Sequence, residues 1–299
     1  MGGPYEDHSG SDRRLAFSRH EIVLHYQPKF EAKTGAVLGV EALIRWKHLS
    51  RGLLPPAEFI PLAEKIGLII PIGDWTIREA CRQMNEWQNM GYEGWTVAVN
   101  LSAVQFNHPG LPDLVRNTLR QYEIDPGCLV LEITESTAMR DPDTSLAILQ
   151  ELHAIGVRIS IDDFGTGYSS LLDLKELPAG ELKIDRGFVH DLSKNSQDAA
   201  IISAIVALGR SLNLDIVAEG VETVAQRDFL TGLGCTSLQG FLLGRPVRPD
   251  ELIAAVTRGS AARELVEADP DHTPKLVAHI PAAIHAWSAA APAASGISS

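Results

Sequence analysis

Glu41, Asn100, Glu132, Asp162, Asp163, Lys183, Glu219 and Gln239 lie in or against the ends of short apolar runs, where a buried strand would not otherwise carry them. An ionised carboxylate held out of water is costly unless it is paired or bound to metal, so a series of them needs one common explanation. Glu41, Asn100, Glu132 and Asp162 are oxygen donors from four different runs, and hard divalent cations such as magnesium (Mg2+) or manganese (Mn2+) take such ligands in octahedral arrays. The adjacent Asp162 and Asp163 disfavour each other's charge unless cations neutralise them. Glu41, Leu43 and Arg45 alternate, so the period of two puts a carboxylate, an apolar platform and a guanidinium on one wall. A guanidinium matches phosphate oxygens as a bidentate fork, which assigns Arg45 to an anionic substrate. Lys183, inside the apolar run Leu182–Ile184, is suited to position an attacking water or to stabilise charge developing on a phosphate. Asp185 follows on the same face as its neighbour or structural partner.

The runs that must position these groups are Ile22 to Gln27, Leu38 to Leu43, Val97 to Leu101, Leu129 to Ile133, Arg158 to Asp162, Glu181 to Ile184, Asp215 to Glu219 and Ser237 to Phe241. Helical patterns alternate with them at Trp75–Met90, Leu111–Tyr122, Thr144–Ile155, Gln197–Leu212 and Thr223–Leu233, which is the signature of a parallel sheet with crossover helices. Asp74, Asp143 and Glu222-Thr223 read as helix starts. The first two runs are joined only by a turn at Lys33-Thr34-Gly35, too short for a crossover, so they pair as an antiparallel hairpin with Gln27 opposite Glu41. The fold class is α/β, a modified TIM (β/α)8 barrel with one antiparallel strand near the N-terminus. Its site belongs at the C-terminal ends of the parallel strands. Gly240 beside Gln239 reads as a point of close backbone approach. Trp75, Trp87 and Trp95 read as core.

Glu41-Ala42-Leu43-Ile44-Arg45-Trp46, Asn100-Leu101-Ser102, Glu132-Ile133-Thr134-Glu135, Asp162-Asp163-Phe164-Gly165-Thr166-Gly167-Tyr168-Ser169-Ser170, Lys183-Ile184-Asp185 and Glu219-Gly220-Val221-Glu222 together resemble the ordered motifs of the EAL domain family. The resemblance covers roughly residues 14 to 257. It implies a bacterial phosphodiesterase that hydrolyses cyclic di-GMP to linear pGpG. It implies two divalent cations, Mg2+ or Mn2+, held by Glu41, Asn100, Glu132, Asp162, Asp163 and Glu219, the second bridged through Asp162. Lys183, Glu219 and Glu41 are then the catalytic groups. Gln27, Leu43, Arg45, Asp185 and Gln239 are then the substrate wall, with Gln239 hydrogen-bonding either a bound water or the nucleotide. The Gly165–Ser170 loop is implied to couple metal binding to dimerisation, with Glu135 and Glu222 as its anchors. Two such ions about 3.5 to 4 Å apart lower the pKa of a shared water and stabilise the departing oxygen. A binding module that has lost turnover is the rival reading, and every matched motif position here is intact. A glycoside hydrolase leaves Asn100, Lys183 and the Asp162-Asp163 pair unexplained.

The bulk properties narrow the field further. The chain has 299 residues, 45% of them hydrophobic, enough for a sizeable core. Its formal net charge of -12 repels long nucleic acids, so no nucleic-acid polymer is expected as a partner. Cys81, Cys128 and Cys235 form no CxxC pair, and the histidines show no ligand spacing, so neither zinc site nor disulfide framework is expected. With no apolar run long enough to span a membrane, the expected location is cytoplasmic. Residues 1–13 read as a flexible lead, 14–258 as the phosphodiesterase barrel and 259–299 as an Ala/Pro-rich disordered tail. A homodimer is expected by resemblance.

Overall fold

The computed structural model describes residues 21–167, 171–192 and 196–257. The expected lead and tail, and Tyr168-Ser169-Ser170 of the loop motif, lie outside them. The strands are β1 (Ile22–Glu31), β2 (Val37–His48), β3 (Gly52–Leu54), β4 (Thr96–Asn100), β5 (Leu129–Thr134), β6 (Arg158–Phe164), β7 (Glu181–Ile184), β8 (Asp215–Ala218) and β9 (Ser237–Leu238). All but β3 form a closed ring in which β2 and β4 through β9 run parallel. β1 closes the ring antiparallel to both β2 and β9. The reversed strand follows from the short turn, where Gly35 has a φ of 65 and returns its amide to Glu31 at 2.8 Å. The register sets Gln27 opposite Glu41, as the turn predicts.

Helices α1 (Ile60–Lys65), α2 (Ile69–Asn89), α3 (Ala103–Phe106), α4 (Leu111–Gln121), α5 (Glu135–Ala138), α6 (Pro142–Ile155), α7 (Leu171–Glu176), α8 (Arg186–His190), α9 (Ser196–Ser211) and α10 (Val224–Leu233) surround the ring. The five predicted helices are α2, α4, α6, α9 and α10. Two predicted starts are corrected. Asp74 sits inside α2, ion-paired to Arg78 at 3.7 Å, because the helix begins at Ile69. Pro71 does not prevent this, since its missing amide hydrogen falls in the first turn, where it has no helical partner. The cap of α6 is Asp141 rather than Asp143, because Pro142 takes the first helical position, where its fixed φ fits. Thr223 caps α10 in a box with Gln226, as expected of that end.

The barrel strands are apolar outside and polar inside. Leu131, Ile133, Ile159, Ile161, Leu182 and Ile184 are buried in one core cluster with Leu149, Leu152 and Ile202 of the helices. Each such side chain removed from water contributes about 1.5–3 kcal/mol. Trp87 packs edge-on to Tyr26 at 4.8 Å and to Trp95 at 5.9 Å, so these aromatics are core. On the opposite face of the same strands, Gln27, Lys29, Glu41, Glu132, Ser160, Asp162, Glu181, Lys183, Ser237 and Gln239 are all buried. Strand alternation accounts for the two faces.

Candidate active site

At the C-terminal end of the parallel strands the inner polar groups converge on one ammonium. Lys183 Nζ lies 2.6 Å from Glu219 Oε1, 3.0 Å from Glu132 Oε2, 3.5 Å from Asp162 Oδ2 and 3.8 Å from Glu41 Oε2. These carboxylates come from β5, β6, β2 and the residue after β8. Asn100 Nδ2 and Gln239 Nε2 each donate to Glu41, to Oε1 and Oε2 respectively, both at 2.6 Å. Gln239 also donates to Gln27 Oε1 at 3.2 Å, and Gln27 ties the chain after β9 back through the Gly244 carbonyl at 2.9 Å. Gly240 makes this packing possible, because a Cβ there would stand 2.2 Å from the Val221 backbone.

Asp163 continues β6 with a φ of 54, a left-handed conformation that few residues besides Gly adopt, Asn and Asp foremost among them. The strain persists where the surroundings fix it, and such positions cluster at functional sites. Its amide donates to Asp162 Oδ1 at 2.8 Å, and its carboxylate lies beside Asp185. Asp185 is at the same time the cap of α8, accepting from Gly187 N at 2.9 Å. Glu135 Oε2 accepts from Gly165 N at 2.8 Å and Gly167 N at 3.4 Å, so it holds the start of the loop after β6. Glu222 is placed differently, exposed and 4.0 Å from His190 Nδ1.

The charges are unbalanced. One ammonium faces four carboxylates, and burial adds to the mismatch. Burial and the neighbouring anions push Glu132 well above the usual carboxylate range and Glu219 up to about 8. Burial, then Asp162, raises Asp163 to about 6. Burial works against ionised Glu41 too, but Lys183 and the amides of Gln239 and Asn100 overcome it and hold this carboxylate low. Burial likewise works against charged Lys183, and the carboxylates around it win, keeping it an ammonium. A donor set of oxygens with surplus negative charge has the chemistry that divalent cations take, while among the described residues no three carboxylates stand in a ready metal-holding group, because Lys183 draws them to itself.

The cluster opens into a cleft of about 580 Å³ walled by Glu41, Leu43, Asn100, Ser102, Gln105 and Ile60. That volume suits a ligand of dinucleotide size. Arg45 is half-buried further along β2, its guanidinium donating to the Ile44 carbonyl at 2.8 Å.

A family model for the EAL domain matches residues 11–246. The chain belongs to the EAL domain family. It is 63% identical over 245 residues to MucR of Pseudomonas aeruginosa, a bifunctional diguanylate cyclase/cyclic di-GMP phosphodiesterase, a match covering 82% of this chain and 36% of MucR. It is 45% identical over 238 residues to the signaling protein YkoW of Bacillus subtilis, covering 80% of this chain and 30% of that protein. The chain therefore spans only a minor part of the length of these curated relatives. The solved structure of the PaMucR phosphodiesterase in complex with c-di-GMP is similar with a TM-score of 0.80 at 63% identity, covering 81% of this chain and 98% of that one.

Within this EAL domain, the cleft walls show what the sequence alone did not flag. Ser102 and Gln105 form a reciprocal cap on α3, and Gln105 fits only because residue 73 is glycine: a Cβ there would overlap its amide. Their signal was present as Ser102-x-x-Gln105 before a short helix, the capping-box pattern. Ile60 and Pro56 reach the cleft from the β3–α1 excursion, which has no periodicity long enough to read.

Proposed function

We propose that this chain is a phosphodiesterase that hydrolyses cyclic di-GMP to linear pGpG with the help of divalent cations, as an element of bacterial signalling. The observation that supports this reading most is the convergence of Glu41, Glu132, Asp162 and Glu219 around Lys183 at the mouth of an EAL barrel. Relatives that bind or cleave this dinucleotide supply the substrate.

In this proposal Glu41, Asn100, Glu132 and Asp162 hold one cation, and Asp162, Asp163 and Glu219 hold a second. When bound, Mg2+ or Mn2+ acidifies a water and neutralises charge on the scissile phosphate. The chain's own groups do the rest. Lys183, fixed by its carboxylates, offers a full positive charge to the phosphate or to the attacking water. Leu43 and Arg45 on the β2 wall, with Gln27 and Gln239 beside Glu41 at its foot, hold the dinucleotide so that its phosphate sits over the cluster. Asp185 braces Asp163, and Glu135 and Glu222 set the loop after β6. The unit of activity is the barrel of residues 14–258, working in the cytoplasm as a homodimer. No helix among the described residues is long and apolar enough to cross a membrane.

The test is incubation of purified protein with cyclic di-GMP and Mg2+, followed by product separation. Conversion to pGpG, abolished by a chelator and restored by excess Mg2+ or Mn2+, is the expected result. Tight binding without pGpG would favour the receptor reading instead.

A further inference from the structure

Beneath the carboxylate cluster lies a second buried ion pair that the proposed reaction leaves unused. Lys29 Nζ meets Glu181 Oε2 at 2.6 Å, with side chains only 7% and 5% exposed. Glu181 precedes Lys183 by two residues on β7, and Lys29 follows Gln27 by two on the reversed strand β1. Backward along β7 and forward along β1 both lead away from the barrel mouth, so this pair is the next inward-facing layer below the cluster. Ser160, fully buried, is aligned on β6 with Glu132 on one side and Glu181 on the other, which places it between the two layers. Its hydroxyl and Glu181 Oε1 are buried without a well-formed hydrogen bond among the described residues.

Stability does not explain why a barrel keeps such a pair. The interior of a barrel of this kind is ordinarily filled by layers of Val, Ile and Leu. A buried ion pair is usually matched or beaten by apolar side chains of the same volume. Lys183 supplies an explanation. Glu181 and Lys183 share one face of one strand, about 7 Å apart along it. An uncompensated Glu181 would be a further anion competing for the Lys183 ammonium from the side away from the cleft. Burial works to raise Glu181, yet Lys29 keeps it ionised and below its ordinary range.

We infer that Lys29 is a positioning residue for the reaction: by neutralising Glu181 it leaves Lys183 directed upward at the carboxylate cluster and the cleft. Lys29 itself touches neither the cluster nor the cleft wall, and acts through Glu181. The inference rests on the hydrolytic reading above.

Three proteins decide it: the unaltered chain, Lys29→Gln and Lys29→Gln/Glu181→Gln, each assayed on cyclic di-GMP well below its own melting temperature. Glutamine at 29 keeps a hydrogen-bond donor near Glu181 and removes the charge. For the single variant kcat should fall about 10- to 100-fold, the range seen when groups supporting a metal site are removed, with KM within about twofold. In the double variant no charge remains below Lys183, and kcat should return to near the unaltered value. A purely structural pair would lower the melting temperature of the single variant and leave its kcat intact, which overturns the inference. A double variant as slow as the single overturns it too. Should Lys29→Gln fail to fold, Glu181→Asp takes its place, retaining both charges while drawing the carboxylate away from Lys29. Reduced kcat at unchanged KM is then expected, and unaltered kcat overturns the idea. An unaltered chain without turnover defeats the hydrolytic reading and this inference with it; an active one beside an equally active single variant defeats this inference alone.

Discussion

Two buried lysines, one layer apart inside the same barrel, keep different company. Lys29 has one carboxylate, Glu181, at 2.6 Å, and the charges cancel. Lys183 has four carboxylates within 3.8 Å, and they do not. A balanced pair is complete in itself. An unbalanced cluster, with Glu132 and Glu219 driven toward their neutral forms, is costly to the fold and is retained where cations and an anionic substrate complete it. The upper layer is also the one that opens to the cleft, through Glu41 and Asn100.

That contrast can be broken at several strengths. Glu41→Ala removes the carboxylate that Lys183, Asn100 and Gln239 all address, so pGpG formation should vanish; an active variant would take Glu41 out of the metal set. Lys183→Met removes the one positive charge at the cluster, and kcat should fall about 10²–10³-fold, as on loss of a preorganised charge-stabilising donor. A drop in substrate affinity with kcat preserved would give Lys183 a binding role instead. Gln239→Ala leaves every proposed ligand in place but frees Glu41 Oε2, so the Mg2+ concentration for half-maximal rate should rise about 10- to 100-fold. Unchanged metal dependence would make that amide a contact to substrate alone.

The smallest effect is on stability against pH. Glu219 at about 8 and Asp163 at about 6 lie above their values in an unfolded chain, near 4. The folded protein therefore binds protons more tightly than the unfolded one. This contribution to stability is full below about pH 4 and is lost as pH rises through 6 and then 8. In chelator, the melting temperature should decline from pH 5 to 8, and Mg2+ or Mn2+ should remove most of the decline, because the ions take the place of the protons. A chelated protein that grows steadily more stable over that range would contradict the charge imbalance.

The outer face of the barrel and the upper polar layer were legible in the sequence for one reason: strands alternate with period two, and a carboxylate at a strand end stands out against Val, Leu and Ile. The hairpin was legible because Lys33-Thr34-Gly35 leaves no room for a crossover, and that alone places Gln27 opposite Glu41. The lower layer was not. The first run, Ile22 to Gln27, stops short of Pro28, which has no amide hydrogen to give to a ladder, yet β1 continues through it to Glu31 and carries Lys29 inward. The pairing of Lys29 with Glu181, 152 positions later, depends on ring closure through β9, which no local pattern contains. The last run was read as Ser237 to Phe241, but only Ser237–Leu238 is strand, because Gly240 lets the chain fold against Val221 instead.

The most direct test of the account is anomalous diffraction from crystals grown with manganese. Two peaks are predicted inside the barrel mouth, one among Glu41, Asn100, Glu132 and Asp162 and one among Asp162, Asp163 and Glu219. Absence of manganese from the barrel at saturating concentration, or its capture by other residues, would contradict the account.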